Sequence, residues 1–250
     1  QVPGFSYLSF GAIIEPLNTL RRNYSQLNLE IELISITDSP IYSHSGISIK
    51  CESTFQACIK DIVKNSRTTA VFLCCGLKTP FDVQNSIRKI LRACDKKSIP
   101  TYGVGAAGWK MADAGLLENG KGTVHWTTLS AYRERNQNIM VKDALFVTSE
   151  NITTSPGEAA TLDMMIDFIK KEFSPEHAEN VCDHLMITFT RNGDLEQPKS
   201  SAQRLRDVPK SLQKVISLME ENLEEPLTLK IISHQAGLSL RQIERLFSLH

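Results

Sequence analysis

A chain of 250 residues with 41% hydrophobic residues carries enough apolar side chain for a sizeable core and suggests one or two domains. Lys plus Arg and Asp plus Glu both number 28, so the formal net charge is zero, which removes any global electrostatic pull toward nucleic acid or an anionic membrane. No stretch reads as a signal peptide or a bilayer-spanning run, so a soluble, cytoplasmic protein is expected. Cys51, Cys58, Cys74, Cys75, Cys94 and Cys182 show no CxxC spacing, which predicts reduced core residues, and no His or Cys spacing supports a metal site.

In chain order, a Pro3-Gly4 turn precedes a helical pattern at Leu8, Ile13, Ile14, Leu17 and Leu20, with Glu15 among apolar residues and before Pro16. Residues 31–36 (IELISI) read as a strand closed by turn chemistry at Asp38, Ser39 and Pro40, and residues 42–49 as a hairpin or an edge addition to the sheet. A short amphipathic helix is expected over 54–64. The run 70–75 (AVFLCC), ended by Gly76, has the continuous apolar character of a central parallel strand covered on both faces. Helical spacing returns at Val83, Ile87, Ile90, Leu91 and Cys94.

Residues 101–126 organise the rest. A strand runs through a glycine-rich turn (Gly103, Gly105, Gly108) into a helix over about 107–117. A turn with so little side chain lets backbone amides approach a ligand, and the following helix points its positive dipole end there. This is the layout of a nucleophile elbow, and it has no nucleophile.

Beyond it come a polar helix over about 129–135 and a strand at 144–147. Leu162, Met165, Ile166, Ile169 and Phe173 form one apolar stripe, and Ala178, Val181, Cys182, Leu185, Met186 and Phe189 a second. Residues 190–207 lose all periodicity and read as a linker.

Residues 208–250 are helical throughout. Leu212, Val215, Ile216, Met219 and Leu223 make one stripe, closed by Pro226. Thr228 caps a second helix, Gly237 is its left-handed C-terminal residue, and Ser239 with Gln242 forms a capping box for a third. That arrangement predicts a helix-turn-helix whose third helix buries Leu240, Ile243, Leu246 and Phe247. It leaves Arg241, Gln242, Glu244, Arg245 and Ser248 outward. Arg can read guanine edges and Gln adenine, while Thr228 or Ser239 could reach phosphate. Residues 207–250 hold 5 Lys plus Arg against 6 Asp plus Glu, a formal charge of −1, so counterion release adds little to DNA binding.

Two resemblances follow. Ala112, Ala114, Gly115, Leu116 and Leu117, then Thr123, His125 and Trp126, resemble the helix end and the Thr-x-His-Trp strand of the ThiJ/PfpI family, the class I glutamine amidotransferase-like fold. The resemblance implies a doubly wound, mostly parallel α/β sheet of flavodoxin-like type. It sets Gly105 at the position of the family's reactive cysteine and Glu15 at that of an acid facing the elbow. It also implies a first strand ahead of residue 1 that these residues lack. Residues 227–247 (LTLKIISHQAGLSLRQIERLF) resemble the first helix-turn-helix of AraC-type activators, which carry a second motif not found in these residues.

Together they divide the chain into a sensing domain at 1–189, a linker at 190–207 and an all-α helix-turn-helix domain at 208–250. The combination resembles amidotransferase-like AraC regulators. It implies a non-catalytic receptor for an amino acid or quaternary amine, with no cofactor and no catalytic residue. Its ligand would be met by Phe5, Glu15, Gly76, Gly105, Ala106, Ala107 and Trp109, with Tyr7 and Tyr102 as further aromatic faces. DNA would be met by Thr228, Ser239, Arg241, Gln242 and Arg245. The implied partners are a DNA operator, a small-molecule inducer, a second copy in a homodimer, and RNA polymerase. The alternative is a ThiJ/PfpI-type hydrolase or glyoxalase-like enzyme with an appended helical module, its thiol drawn from Cys74 or Cys75 and its base from His125.

Overall fold

The computed structural model describes residues 2–36, 40–63, 68–76, 81–198, 209–222 and 227–249. The chain forms two compact units, Gln1–Gln197 and Pro198–His250. The expected features at Asp38, Ser39, Lys64, Leu223 and Pro226, and most of the linker, lie outside the described residues.

The first unit opens with α1 (Tyr7–Asn23), followed by short strands β1 (Ile34–Ser35), β2 (Ile41–Tyr42), β3 (Ser48–Ile49) and β4 (Ser53–Thr54). Then come α2 (Phe55–Val63), β5 (Val71–Cys75), α3 (Phe81–Lys96), β6 (Thr101–Gly105), α4 (Ala107–Asp113), β7 (Lys121–Gly122), α5 (Trp126–Arg135) and β8 (Met140–Val141). It ends with β9 (Val147–Ser149), β10 (Ile152–Ser155), α6 (Ala160–Glu172) and α7 (Pro175–His184). The central sheet has the order β5-β6-β10-β9. Strands β5, β6 and β10 are parallel, and β9 is antiparallel at the edge. Of the expected strand at 31–36 only β1 pairs, parallel to β4, and of the two alternatives for 42–49 the hairpin forms, as β2 and β3.

Alternation along the parallel strands explains the double winding, because successive side chains point to opposite faces. On β5, Cys74 joins Phe5, Phe10, Ile13, Leu17 and the α6 residues Met165 and Ile169 on one face. Leu73 and Cys75 join Val83, Ile87, Leu91 and Met111 on the other. On the first face Phe72 stacks on Tyr102 at 4.7 Å, and Phe168 meets both edge-on at 5.2 Å. Burying large apolar side chains of this kind contributes about 1.5–3 kcal/mol each.

Several boundaries differ from expectation. Helix α4 stops at Asp113, with Gly115 in a left-handed conformation (φ 78°). The expected Thr-x-His-Trp strand is shorter: β7 ends at Gly122, and His125 instead caps α5, accepting from the Thr127 amide. The strand expected at 144–147 is displaced to β9. The stripe expected to continue through Phe189 breaks where α7 ends at His184. Met186, at φ 57°, and Phe189 are 91% and 76% exposed. The first unit then continues past Phe189 to Gln197, because residues 191–197 hydrogen-bond back onto it.

Among its described residues the second unit has three helices, α8 (Lys210–Glu220), α9 (Leu229–Ala236) and α10 (Leu240–Leu249). Val215, Ile232 and Ile243, one from each, form its core.

Candidate functional site

Strands β5, β6 and β10 run parallel, so their carboxyl ends open onto one edge, where ligands of open α/β sheets bind. A cavity of about 640 Å³ lies there. Its floor is Cys74, Cys75 and Gly76 after β5 and Val104, Gly105 and Ala106 after β6. Pro156, Gly157 and Glu158, between β10 and α6, form one wall, and Trp109, His125, Thr127 and Thr128 another. Gly4, Ser6, Ser9 and His44 complete it.

Gly105 stands at the sharp turn, with φ 70°. A Cβ there would lie 2.9 Å from the Cys75 carbonyl oxygen, so the turn is both left-handed and crowded. The crowding continues outward: a Cβ on Gly157, at φ 97°, would come within 3.2 Å of the Gly105 Cα, and one on Gly76 within 2.2 Å of the Gly4 carbonyl oxygen. Four loops thus meet through glycine backbone. The side chain that an elbow presents to its substrate is missing at residue 105.

Polar groups come from the surrounding loops. Ser6 Oγ donates to Glu158 Oε2 at 2.7 Å, and the Glu158 amide donates to Ser9 Oγ at 2.7 Å, joining the start of α1 to the loop before α6. Glu158 itself adopts φ 51°, a conformation costly for a side-chain-bearing residue, and the serine bonds offset it. His125 Nδ1 lies 2.8 Å from Thr127 Oγ1. Burial lowers the His125 pKa from its ordinary 6.5, with the Glu158 carboxylate opposing in part. Trp109 Nε1 donates to Thr128 Oγ1 at 3.4 Å, while its ring meets Tyr132 edge-on and carries the Arg135 guanidinium 5.9 Å from its centroid. The Phe5 carbonyl accepts from the His44 amide at 2.9 Å.

Of the expected ligand residues, Gly76, Gly105, Ala106 and Trp109 line this cavity. Glu15 does not. On α1 the buried face is Phe10, Ile13, Leu17 and Leu20, and Glu15, about 200° around the helix from Ile13, is exposed. Phe5 is fully buried against Phe10, their rings 5.7 Å apart, and Ala107 is fully buried beneath the turn. The Ala106 amide, expected to face a ligand, donates instead to the Cys75 carbonyl at 3.0 Å. Tyr102 belongs to the sheet's aromatic stack, where burial pushes its hydroxyl up to about 12, and Tyr7 is exposed outside the cavity. Ser6, Ser9, His44, Thr127, Thr128 and Glu158 also line the cavity, and no sequence motif marks them as ligand residues. Glu158, next to Pro156-Gly157 after a strand, was the most accessible signal among them.

In the second unit Thr228 Oγ1 accepts from the Ile231 amide, and Gly237, at φ 72°, closes α9. Ser239 and Gln242 form the capping box reciprocally: the Gln242 amide donates to Ser239 Oγ at 3.3 Å, and the Ser239 amide to Gln242 Oε1 at 2.8 Å. Arg241, Gln242, Glu244 and Arg245 are exposed. The expected apolar stripe is only partly covered. Ile243 is buried, whereas Leu240 and Phe247 are 40% and 46% exposed, because the core closes around Ile243 and the stripe's ends project beyond it.

No cluster of His, Cys, Asp and Glu able to hold a metal occurs among the described residues, and no helix among them is long and apolar enough to cross a membrane. None of the six cysteines is in a disulfide.

A flavodoxin-like α/β unit with a glycine elbow at the ends of its parallel strands, followed in the chain by a unit of capped helices, defines the class of protein. The chain belongs to the DJ-1/PfpI family, whose model matches residues 11–171. Among relatives, it is 26% identical over 249 residues to the HTH-type transcriptional regulator CdhR of Pseudomonas aeruginosa, which covers 100% of this chain and 72% of that protein. It is 27% identical over 253 residues to the HTH-type transcriptional regulator GlxA of Rhizobium meliloti, covering 100% of this chain and 75% of that one. Its fold is similar to that of an AraC family transcriptional regulator from Pseudomonas putida, with TM-score 0.63 and 18% identity over 74% of this chain and 95% of that one. A THiJ/PfpI family protein from Pseudomonas syringae gives 0.61 and 17%, over 95% and 88%.

Proposed function

We propose that the chain is a ligand-responsive, sequence-specific DNA-binding transcription regulator whose first unit senses a small molecule without transforming it. The observation that carries this reading is the elbow. It keeps its left-handed turn and its cavity of about 640 Å³, yet the residue at the turn is Gly105. The capped third helix with Arg241 and Arg245 outward supplies a means of reading DNA, and the names of the relatives CdhR and GlxA point the same way.

The ligand class is an amino acid or quaternary amine. Among the described residues lining the cavity, Glu158 is the carboxylate, and with His125 neutral it leaves the site attractive to a cation. Trp109 also lines the cavity, and one face of its ring carries Arg135. The homodimer, RNA polymerase as a partner and the cytoplasmic location belong to this same reading.

An enzyme is the second reading, favoured by the presence of Cys74, Cys75, His44 and His125 around one cavity. Cys75 is buried and its Sγ donates to the neighbouring Gly76 carbonyl at 3.4 Å, a bond that holds the thiol in the wall rather than in the cavity centre.

A thermal-shift screen of amino acids and quaternary amines tests the sensor. A ligand at 100 times its Kd adds about 2.7 kcal/mol to folding stability, an easily measured rise in Tm. The rise should be lost in Glu158→Gln. If no cationic ligand shifts Tm while a thioester or 2-oxoaldehyde is turned over in a Cys75-dependent manner, the enzyme reading takes its place.

A further inference from the structure

Residues 191–197 lie where the sequence predicts an unstructured linker, yet they are fastened to the first unit at both ends. At one end the Arg191 guanidinium makes two hydrogen bonds to Asp163 Oδ2, at 2.6 and 3.0 Å, and the Arg191 amide donates to Asp163 Oδ1 at 2.8 Å. Asp163 sits in the first turn of α6, the helix that follows the cavity loop Pro156, Gly157 and Glu158. Midway, the Leu145 amide donates to the Gly193 and Leu195 carbonyls.

At the other end is Gln197, 4% exposed. Its Nε2 donates to the Val124 carbonyl at 2.9 Å and to Thr123 Oγ1 at 3.3 Å, and its Oε1 accepts from the Trp126 amide at 2.8 Å. The Val124 carbonyl and the Trp126 N–H belong to the two peptide groups on either side of His125. One carboxamide therefore brackets the residue that forms part of the cavity wall. Gln197 is also the last residue of the first unit, and the second unit begins at Pro198.

We propose that residues 191–197 are the tether through which occupancy of the cavity reaches the DNA-binding unit, with Gln197 as the transmitting residue. The inference rests on the sensor reading above. A ligand engaging His125 cannot rotate the peptides flanking it without altering the bonds to Gln197. One engaging Glu158 acts on the loop ahead of α6, whose first turn holds Arg191. Both inputs converge on a segment covalently continuous with the second unit. Asp143 Oδ1, which accepts from the Gln197 amide at 3.3 Å, fixes the end of the tether against the loop before β9. A coupling free energy needs a contact that differs between the occupied and empty states, and this carboxamide is positioned to be that contact.

The experiment is amide hydrogen exchange on the full chain, with choline, tetramethylammonium and free arginine as the probes and Tm recorded for each. The Trp126 amide reports Gln197 directly, because the side chain is its acceptor. In the wild type at least one probe should raise Tm and change exchange several-fold at the Trp126 amide and across residues 190–197. In Gln197→Ala the Tm rise should persist while the response across 190–197 disappears. Gln197→Glu, which keeps an acceptor for the Trp126 amide and loses the donors to Val124 and Thr123, should show the same loss and serves where the alanine variant does not fold. A rise in Tm with unchanged exchange at 190–197 in the wild type overturns the tether and leaves the sensor standing, as does a response that survives both substitutions. No rise in Tm with any probe overturns the sensor reading and the tether with it.

Discussion

Two of the molecule's left-handed glycines put the same backbone device to opposite ends. Gly105 and Gly237 have φ of 70° and 72°, and each precedes a helix. Around Gly105 the space is closed, with a Cβ falling 2.9 Å from the Cys75 carbonyl, whereas around Gly237 nothing lies within 4 Å. The first turn is held by its surroundings, between β5 and the loop at Gly157, and exists to shape a cavity. The second is a local helix ending, with the Leu238 amide reaching back to the Ser233 carbonyl at 3.1 Å, and its work is to aim α10. A left-handed glycine therefore says little about function until the neighbours of its missing side chain are known.

The largest expected effect on DNA binding comes on the open side. Arg241 and Arg245 lie one helical turn apart on the exposed face of α10, so both can face a groove together. If each reads a base edge, replacing either by Ala should cost about 1–3 kcal/mol on the cognate operator and much less on random DNA. A phosphate contact would weaken both DNAs alike and lower the salt slope by about one. Titration of operator and random duplexes at several salt concentrations separates these outcomes. An unchanged operator affinity in the double variant would reassign α10 as a protein-interaction surface.

Next come the two glycines themselves. Gly105→Ala should lower folding stability by about 1–3 kcal/mol from backbone strain, with more from the contact at the Cys75 carbonyl. Gly237→Ala should cost only the left-handed penalty of about 1–2 kcal/mol, because its Cβ has room. Denaturation of the two variants side by side measures the difference. Equal losses would mean that the elbow relaxes freely and that its crowding has no energetic weight. Gly105→Cys carries the same strain and, on the sensor reading, should not show rapid turnover; rapid turnover would favour the enzyme reading, with His44 and His125 on the same cavity as candidate bases.

The contrast also explains what the sequence could and could not disclose. The helix-turn-helix was legible because its signals are local: Thr228, Gly237, Ser239 and Gln242 each act within a few residues, and all four take the roles their types predict. The elbow was legible for the same reason, as a glycine run between a strand and a helix. The cavity was not. Its polar groups, Ser6, Ser9, His44 and Glu158, come from loops far apart in sequence, and their meeting is set by the sheet. Glu15 illustrates the error this invites, since resemblance supplied an acid while helical geometry turned it to solvent. Gln197 illustrates the converse. In a stretch without periodicity, a residue of ordinary surface type is buried by hydrogen bonds that no spacing rule foretells. Likewise Leu240 and Phe247 fit a periodic stripe, but periodicity does not tell how much of a stripe its neighbours will cover.

The smallest effect returns to the closed side and concerns pH. Burial lowers the pKa of His125 from 6.5, and the attraction of Glu158 only partly opposes this, so the native state favours neutral imidazole. The unfolded chain then binds more protons between the folded value and 6.5, and the associated stability is full above 6.5 and lost as pH falls through that window. Binding of a cationic ligand should follow the folded-state titration. Once His125 is protonated the cavity gains a positive charge beside Glu158, and affinity for an amine should drop, by less than about tenfold at a site this open to water. His44 and Glu158 also face the cavity, so the measurement needs a variant that isolates His125. His125→Asn removes the titrating group while keeping a side chain able to cap α5. Calorimetric titrations with choline between neutral and mildly acidic pH should show weakening in the wild type and a flatter profile in the variant. The same slope in both would place the proton on another group in the cavity wall and remove His125 from the ligand's electrostatic surroundings.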